Sequence, residues 1–211
     1  MTNRCPREPR RRAARSGLRP PRSPAGPPGA YTLRVAIGIS LWFDAALEAR
    51  VREVWSDLAA QDISALLHDG PYRPHLTLGV WEKLDVDACV PALREAAPAW
   101  AAFPIKLASV GAFPGDEGAS FLQPAMSASL LRMHRQVHEL ASTFATHPFP
   151  YYLPDAWTPH CTMAWRVPRP RVLQAVDLLL SCGLPFEGRV VAVGVIDTPT
   201  EVELHRIALP G

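Results

Sequence analysis

The feature that most constrains this chain is a short pattern that occurs twice. Arg73-Pro74-His75-Leu76-Thr77-Leu78-Gly79-Val80-Trp81 and Thr158-Pro159-His160-Cys161-Thr162-Met163-Ala164-Trp165-Arg166 each contain Pro-His-x-Thr followed by an apolar residue. In both, polar and apolar residues alternate with a period of two, the pattern of a half-buried strand whose side chains point to opposite faces in turn. His75 then shares a face with Thr77, and His160 with Thr162, while Leu76, Leu78, Cys161 and Met163 face a core. With seven His and nine Thr in 211 residues, random placement gives roughly 0.3 His-x-Thr triplets. Requiring Pro and the alternation at both sites lowers the odds by roughly two orders of magnitude.

Two such strands side by side bring two imidazoles and two hydroxyls to one spot. An imidazole has an unperturbed pKa of about 6.5, so one ring can act as base and the other as acid near neutral pH. Threonine hydroxyls donate hydrogen bonds to anionic phosphate oxygens. The set suits acid–base cleavage or transfer at a phosphodiester without a metal.

In these residues the chain resembles the 2H phosphoesterase superfamily and, within it, the bacterial 2′-5′ RNA ligase or RNA 2′,3′-cyclic phosphodiesterase family. That family is defined by two His-x-Thr/Ser-x motifs, matched in this chain by His75-Leu76-Thr77-Leu78 and His160-Cys161-Thr162-Met163, 85 residues apart. Gly111-Ala112-Phe113-Pro114 also matches a Gly-x-Phe-Pro strand end of the family. The resemblance implies a bilobal α+β fold in which two mainly antiparallel sheets face a central cleft, with helices outside and one His strand in each lobe. It implies opening of RNA or nucleotide 2′,3′-cyclic phosphates to 2′-phosphates, with 2′-5′ RNA ligation as the reverse direction. His75 and His160 are then catalytic and Thr77 and Thr162 bind the phosphate; we assign His160 as base and His75 as acid, a division that the sequence alone does not fix. No cofactor or metal is implied; the partner is an RNA 3′ end or nucleotide carrying a cyclic phosphate, and a monomer is expected. The rival readings are another small cyclic or 2′-5′ linked nucleotide as substrate, a module that binds RNA ends without turnover, and a metal-dependent hydrolase.

Parity extends the candidate site. On a regular strand Arg166 lies on the face of His160 and Thr162, about 13 Å further along, suited to a neighbouring phosphate. On the first strand Gly79 leaves space and Trp81 stands at the far end of the His face. Tyr151, Tyr152 and Trp157, in the Pro/aromatic stretch before the second motif, are candidates for stacking on a base. His134 and His138 have the i, i+4 spacing of metal ligands, but Arg135 follows the first and no third ligand is evident nearby, so they read as a surface or partly packed pair.

The net charge of +2 hides an asymmetry: residues 1–30 hold eight Arg against Glu8 alone, so the body is mildly acidic and lacks a broad basic footprint for nucleic acid. That Arg/Pro-rich segment buries too little to order itself and is expected to be a disordered tail before a domain over 31–211. Cys5, Cys89, Cys161 and Cys182 form no disulfide framework, which fits reduced thiols in a cytoplasmic protein. No apolar run approaches the ~20 residues of a membrane span. The periodicity predicts about seven strands and four helices. The first strand covers Leu33–Leu41, and an Asp44-capped helix carries Leu47, Val51, Val54 and Leu58. A helix follows over Asp85–Ala97 despite Pro91, and the longest helix spans Ala125–Ala145. The last helix is closed by Gly183, and a final hairpin turns through Thr198-Pro199-Thr200.

Overall fold

The computed structural model describes residues 36–211. The Arg/Pro-rich segment and the first residues of the expected opening strand, from Leu33, lie outside them. β1 (Ile37–Phe43) is buried along its whole length. Asp44 then caps α1 (Ala45–Ala60) by accepting the Leu47 N–H at 2.9 Å, and Leu47, Val51, Val54, Trp55 and Leu58 form its buried stripe. The connection that follows contains one helical turn, α2 (Leu66–Asp69), before β2 (His75–Leu84). Asp85 caps α3 (Val86–Ala96), which tolerates the exposed Pro91 within it.

The hairpin β3 (Phe103–Phe113) and β4 (Glu117–Pro124) leads to α4 (Ala128–Ala141), then β5 (Ala145–Pro148), β6 (Cys161–Pro168), α5 (Arg169–Ser181), β7 (Phe186–Asp197) and β8 (Val202–Ala208). α4 is shorter than its periodicity suggests. Ser127 caps it by accepting the Leu130 N–H, and Ala145–Pro148 leaves the helix to pair with β2. That extra strand brings the count among the described residues to eight. At the other end of the chain Gly183 closes α5 with φ 75°, the left-handed conformation that glycine adopts freely.

The fold is α+β with antiparallel strands throughout, in the order β5-β2-β1-β7-β3-β4-β6, with β8 on β7. The halves expected as two sheets are joined in one hydrogen-bonded sheet, because β7 is long enough to serve both. Its first part, Phe186–Val190, pairs with β3, and its later part, Ala192–Asp197, pairs with β8, while β1 runs along its other edge. β2 and β6 stand far apart in this order yet touch each other. The sheet therefore curls until the two motif strands meet. α1 packs on β1 and β7 and reaches β6, and α5 covers β3, β4 and β6.

Candidate active site

The alternation read from the sequence holds where it matters most. Leu76, Leu78 and Cys161 are 0% exposed and Met163 is 1%, so the residues beside His and Thr point into the core. His75 opens β2, and His160 stands one residue before β6. The two rings are held alike. His75 Nδ1 meets the Arg73 carbonyl at 2.7 Å, and His160 Nδ1 meets the Thr158 carbonyl at 2.8 Å, each two residues back along the chain. A carbonyl oxygen only accepts, so both Nδ1 atoms carry hydrogen and donate. The chemistry of both rings is thereby left to Nε2.

The threonines are matched too. Trp157 Nε1–H donates to the Thr77 carbonyl at 3.0 Å, and Trp55 Nε1–H donates to the Thr162 carbonyl at 3.1 Å. Each bond crosses between elements distant in sequence, so each fixes the backbone of a hydroxyl-bearing residue. The Ser40 hydroxyl, buried on β1 opposite Thr77, donates to Thr77 Oγ1 at 3.3 Å. Thr77 keeps its own O–H to give elsewhere. The halves also meet directly: the Cys161 thiol, its pKa pushed up to about 12 by burial, lies against the His75 backbone, and the His75 charge acts on the His160 ring.

The surroundings of the two rings differ. Phe113 meets the His160 ring edge-on at 4.9 Å and Phe121 lies at 5.3 Å. Desolvation in this apolar pocket lowers the His160 pKa to about 4, against the opposing pull of the Thr158 carbonyl. His75 Nε2 instead faces a carboxylate, Glu201 Oε2, at 3.6 Å. A cavity of about 510 Å³ opens on this side, lined by Trp42, Arg52, Arg73, Glu48, Glu201 and Glu203 among others.

The parity extension fails on both strands. β2 and β1 slip register between Thr77 and Gly79, leaving Leu78 as a bulge. Beyond it the Trp81 ring folds over Gly79, filling the expected space, and stands 5.3 Å from His138 in the core. β6 bulges at Met163 and again at Arg166, where φ is 55°. Arg166 is exposed and stacks over its neighbour Trp165 at 4.3 Å, not along the His160 face. A bulge adds one residue to one strand and reverses every later side chain.

Of the aromatic candidates, Trp157 is committed to Thr77 and to a stack on His134 at 3.9 Å, 9° from parallel. Tyr152 gives its carbonyl to His134 Nε2 at 2.9 Å, while Tyr151 is exposed. His134 is buried and His138, partly buried, donates from Nε2 to the Leu78 carbonyl at 3.0 Å, so the pair packs the back of β2, the packed one of the two expected placements. Among the described residues no group of three or more His, Cys, Asp or Glu side chains is arranged to hold a metal.

Sequence reasoning missed Ser40, Trp55 and Glu201. A lone hydroxyl within the apolar run Ile37–Phe43 was the available signal for Ser40; Glu201 carried none.

A family model described as the 2′-5′ RNA ligase superfamily matches residues 80–200. The chain belongs to the 2′-5′ RNA ligase superfamily. The matched span contains His160 and Thr162; His75 and Thr77 lie just before it. Comparison with curated proteins finds no match. Among solved structures, the chain is similar to one titled a phosphoesterase, with a TM-score of 0.52 at 15% identity, over 84% of this chain and 99% of that one. This likeness shows a shared fold. Also similar are the Escherichia coli LigT complexed with NADP+ (TM-score 0.49, 15% identity, 85% and 100% covered) and the Kluyveromyces marxianus Usb1 (TM-score 0.48, 13% identity, 84% and 99% covered). Membership of the superfamily supports a phosphoesterase-type enzyme. No helix among the described residues is long and apolar enough to cross a membrane.

Proposed function

We propose that this superfamily member opens 2′,3′-cyclic phosphates at RNA or nucleotide ends to 2′-phosphates without a metal, and forms a 2′-5′ linkage when a ribose 5′-hydroxyl takes the place of water. The observation that carries this is the pair of identically tethered imidazoles, each donating from Nδ1 to the carbonyl two residues back and each keeping Nε2 for chemistry.

Neutral His160 takes a proton from water as the water oxygen bonds to phosphorus. The bond from phosphorus to the ribose 3′ oxygen breaks, and protonated His75 gives that oxygen its proton. The Thr77 and Thr162 hydroxyls donate to the non-bridging oxygens, where charge gathers in the pentavalent state. Solvent exchange then returns a proton to His75 and removes one from His160. The pKa of about 4 at His160 supports the base assignment, since that ring is neutral over the whole physiological range.

A cytoplasmic setting accords with the free thiols of Cys89, Cys161 and Cys182. The test is turnover of an oligoribonucleotide ending in a 2′,3′-cyclic phosphate by His75→Ala and His160→Ala. Each variant should lose ~10²–10⁴-fold relative to wild type, as general acid–base groups do. Wild-type rates in either variant would overturn these acid and base roles, and tight binding without turnover by the wild type would leave a binding module.

A further inference from the structure

The two motif halves hold their imidazoles and their threonine carbonyls alike, yet one imidazole stands among phenyl rings and the other faces a carboxylate. We propose that Glu201 is a positioning residue for His75: its carboxylate, carried on the turn between β7 and β8, holds the His75 ring as an imidazolium and so makes it the proton donor. This rests on the acid–base reading above and adds the device that separates the two roles.

The geometry selects the nitrogen. Glu201 Oε2 lies 3.6 Å from Nε2, the atom left for chemistry, and not beside Nδ1, which the Arg73 carbonyl already occupies. The Glu201 side chain is only 15% exposed, so solvent screens the pair weakly. Its backbone is unusual as well. φ is 57°, a left-handed conformation that glycine would take freely and that a glutamate occupies only at a cost in strain. The turn thus presents a carboxylate at a position where backbone preference alone favours glycine or asparagine.

The other charged groups around this corner are engaged elsewhere. From α1, Glu48 accepts both Arg52 at 3.0 Å and Arg73 at 2.8 Å. From β8, Glu203 lies 3.5 Å from Arg73. At the end of β7, Asp197 accepts the Thr200 hydroxyl and adds negative charge beside Glu201. From the β6 side, His160 faces His75 with a ring that is neutral near pH 7. With both arginines committed to Glu48 and Glu203, the His75 imidazolium is the cation placed to meet Glu201. Burial, with Asp197 beside it, pushes the Glu201 carboxyl up, and the His75 charge is what opposes that push. Once His75 has given its proton to the leaving ribose oxygen, the same carboxylate favours its reprotonation from solvent.

Two readouts test this, one independent of turnover. The first is the ¹⁵N NMR titration of the His75 ring in wild type, Glu201→Gln and Glu201→Asp. The second is the alkaline limb of kcat/KM for a cyclic-phosphate oligonucleotide, which reports loss of the acid's proton. In Glu201→Gln both midpoints should move to lower pH by roughly 1 unit, as for loss of an opposite charge within ~4–6 Å, and Glu201→Asp should restore part of the shift. Unchanged midpoints in folded Glu201→Gln would overturn the assignment while wild-type turnover left the catalytic reading standing. Absence of wild-type turnover with the NMR shift intact would overturn the catalytic reading and leave the pair standing.

Discussion

Replacing His134 by glutamine should remove one defined share of this protein's sensitivity to acid. His134 is 2% exposed, donates from Nε2 to the Tyr152 carbonyl, and lies flat against Trp157, with the His138 ring 4.6 Å away. Desolvation first, and the His138 charge second, lower its pKa to about 4. A histidine whose folded value lies below its unfolded value of about 6.5 contributes fully above 6.5 and loses that contribution as pH falls toward 4. Linkage between these two values gives a loss of about 2 kcal/mol at pH 5 and about 3 kcal/mol at pH 4, relative to pH 7. Glutamine keeps a donor for Tyr152 but does not titrate. Urea unfolding at pH 7 and pH 5, followed by tryptophan fluorescence, should show the wild type losing about 2 kcal/mol more than His134→Gln between the two conditions. All other titrating groups are common to both chains, so the difference reports this ring together with its coupling to His138. Equal losses in the two would refute the argument, because they would mean that His134 takes up no less proton when folded than when unfolded.

Other consequences follow from single contacts. Thr77→Val keeps the shape of the side chain but removes its donor, so kcat on a cyclic phosphate should fall by ~10²-fold, the scale of one lost oxyanion donor, with the fold intact by circular dichroism. Trp157→Phe deletes the N–H held by the Thr77 carbonyl, leaving that oxygen unpaired; denaturant unfolding should show a loss of about 1–3 kcal/mol. Gly79→Ala places a methyl against the Trp81 ring, which is itself buried, and should cost about 1–3 kcal/mol of stability by the same measurement.

How much was legible depended on how local the cause was. The His-x-Thr strands could be read because alternation is a property of neighbours, and the burial of Leu76, Leu78, Cys161 and Met163 follows it. The Asp44 cap and the Gly183 stop were legible for the same reason, since each acts within one turn of its own helix. The failures at Trp81 and Arg166 have one physical origin. Bulges at Leu78, Met163 and Arg166 arise where a strand accommodates its partner, and no residue within the strand announces them. β5 escaped notice because its four residues fall between the end of a helical pattern and a Pro/aromatic stretch that reads as a loop, and only β2 offers them a ladder. Glu201 was beyond reach: it lies 126 positions from His75 and reaches it through the β7–β8 turn.

Metal-free opening of a cyclic phosphate by two imidazoles that divide acid and base work can be followed by ³¹P NMR of an oligoribonucleotide ending in a 2′,3′-cyclic phosphate, incubated with the wild-type protein in excess chelator. Conversion of the cyclic signal to a single 2′-phosphomonoester is the expected result. An unchanged cyclic signal, or turnover that appears only when a divalent metal is restored, would contradict it.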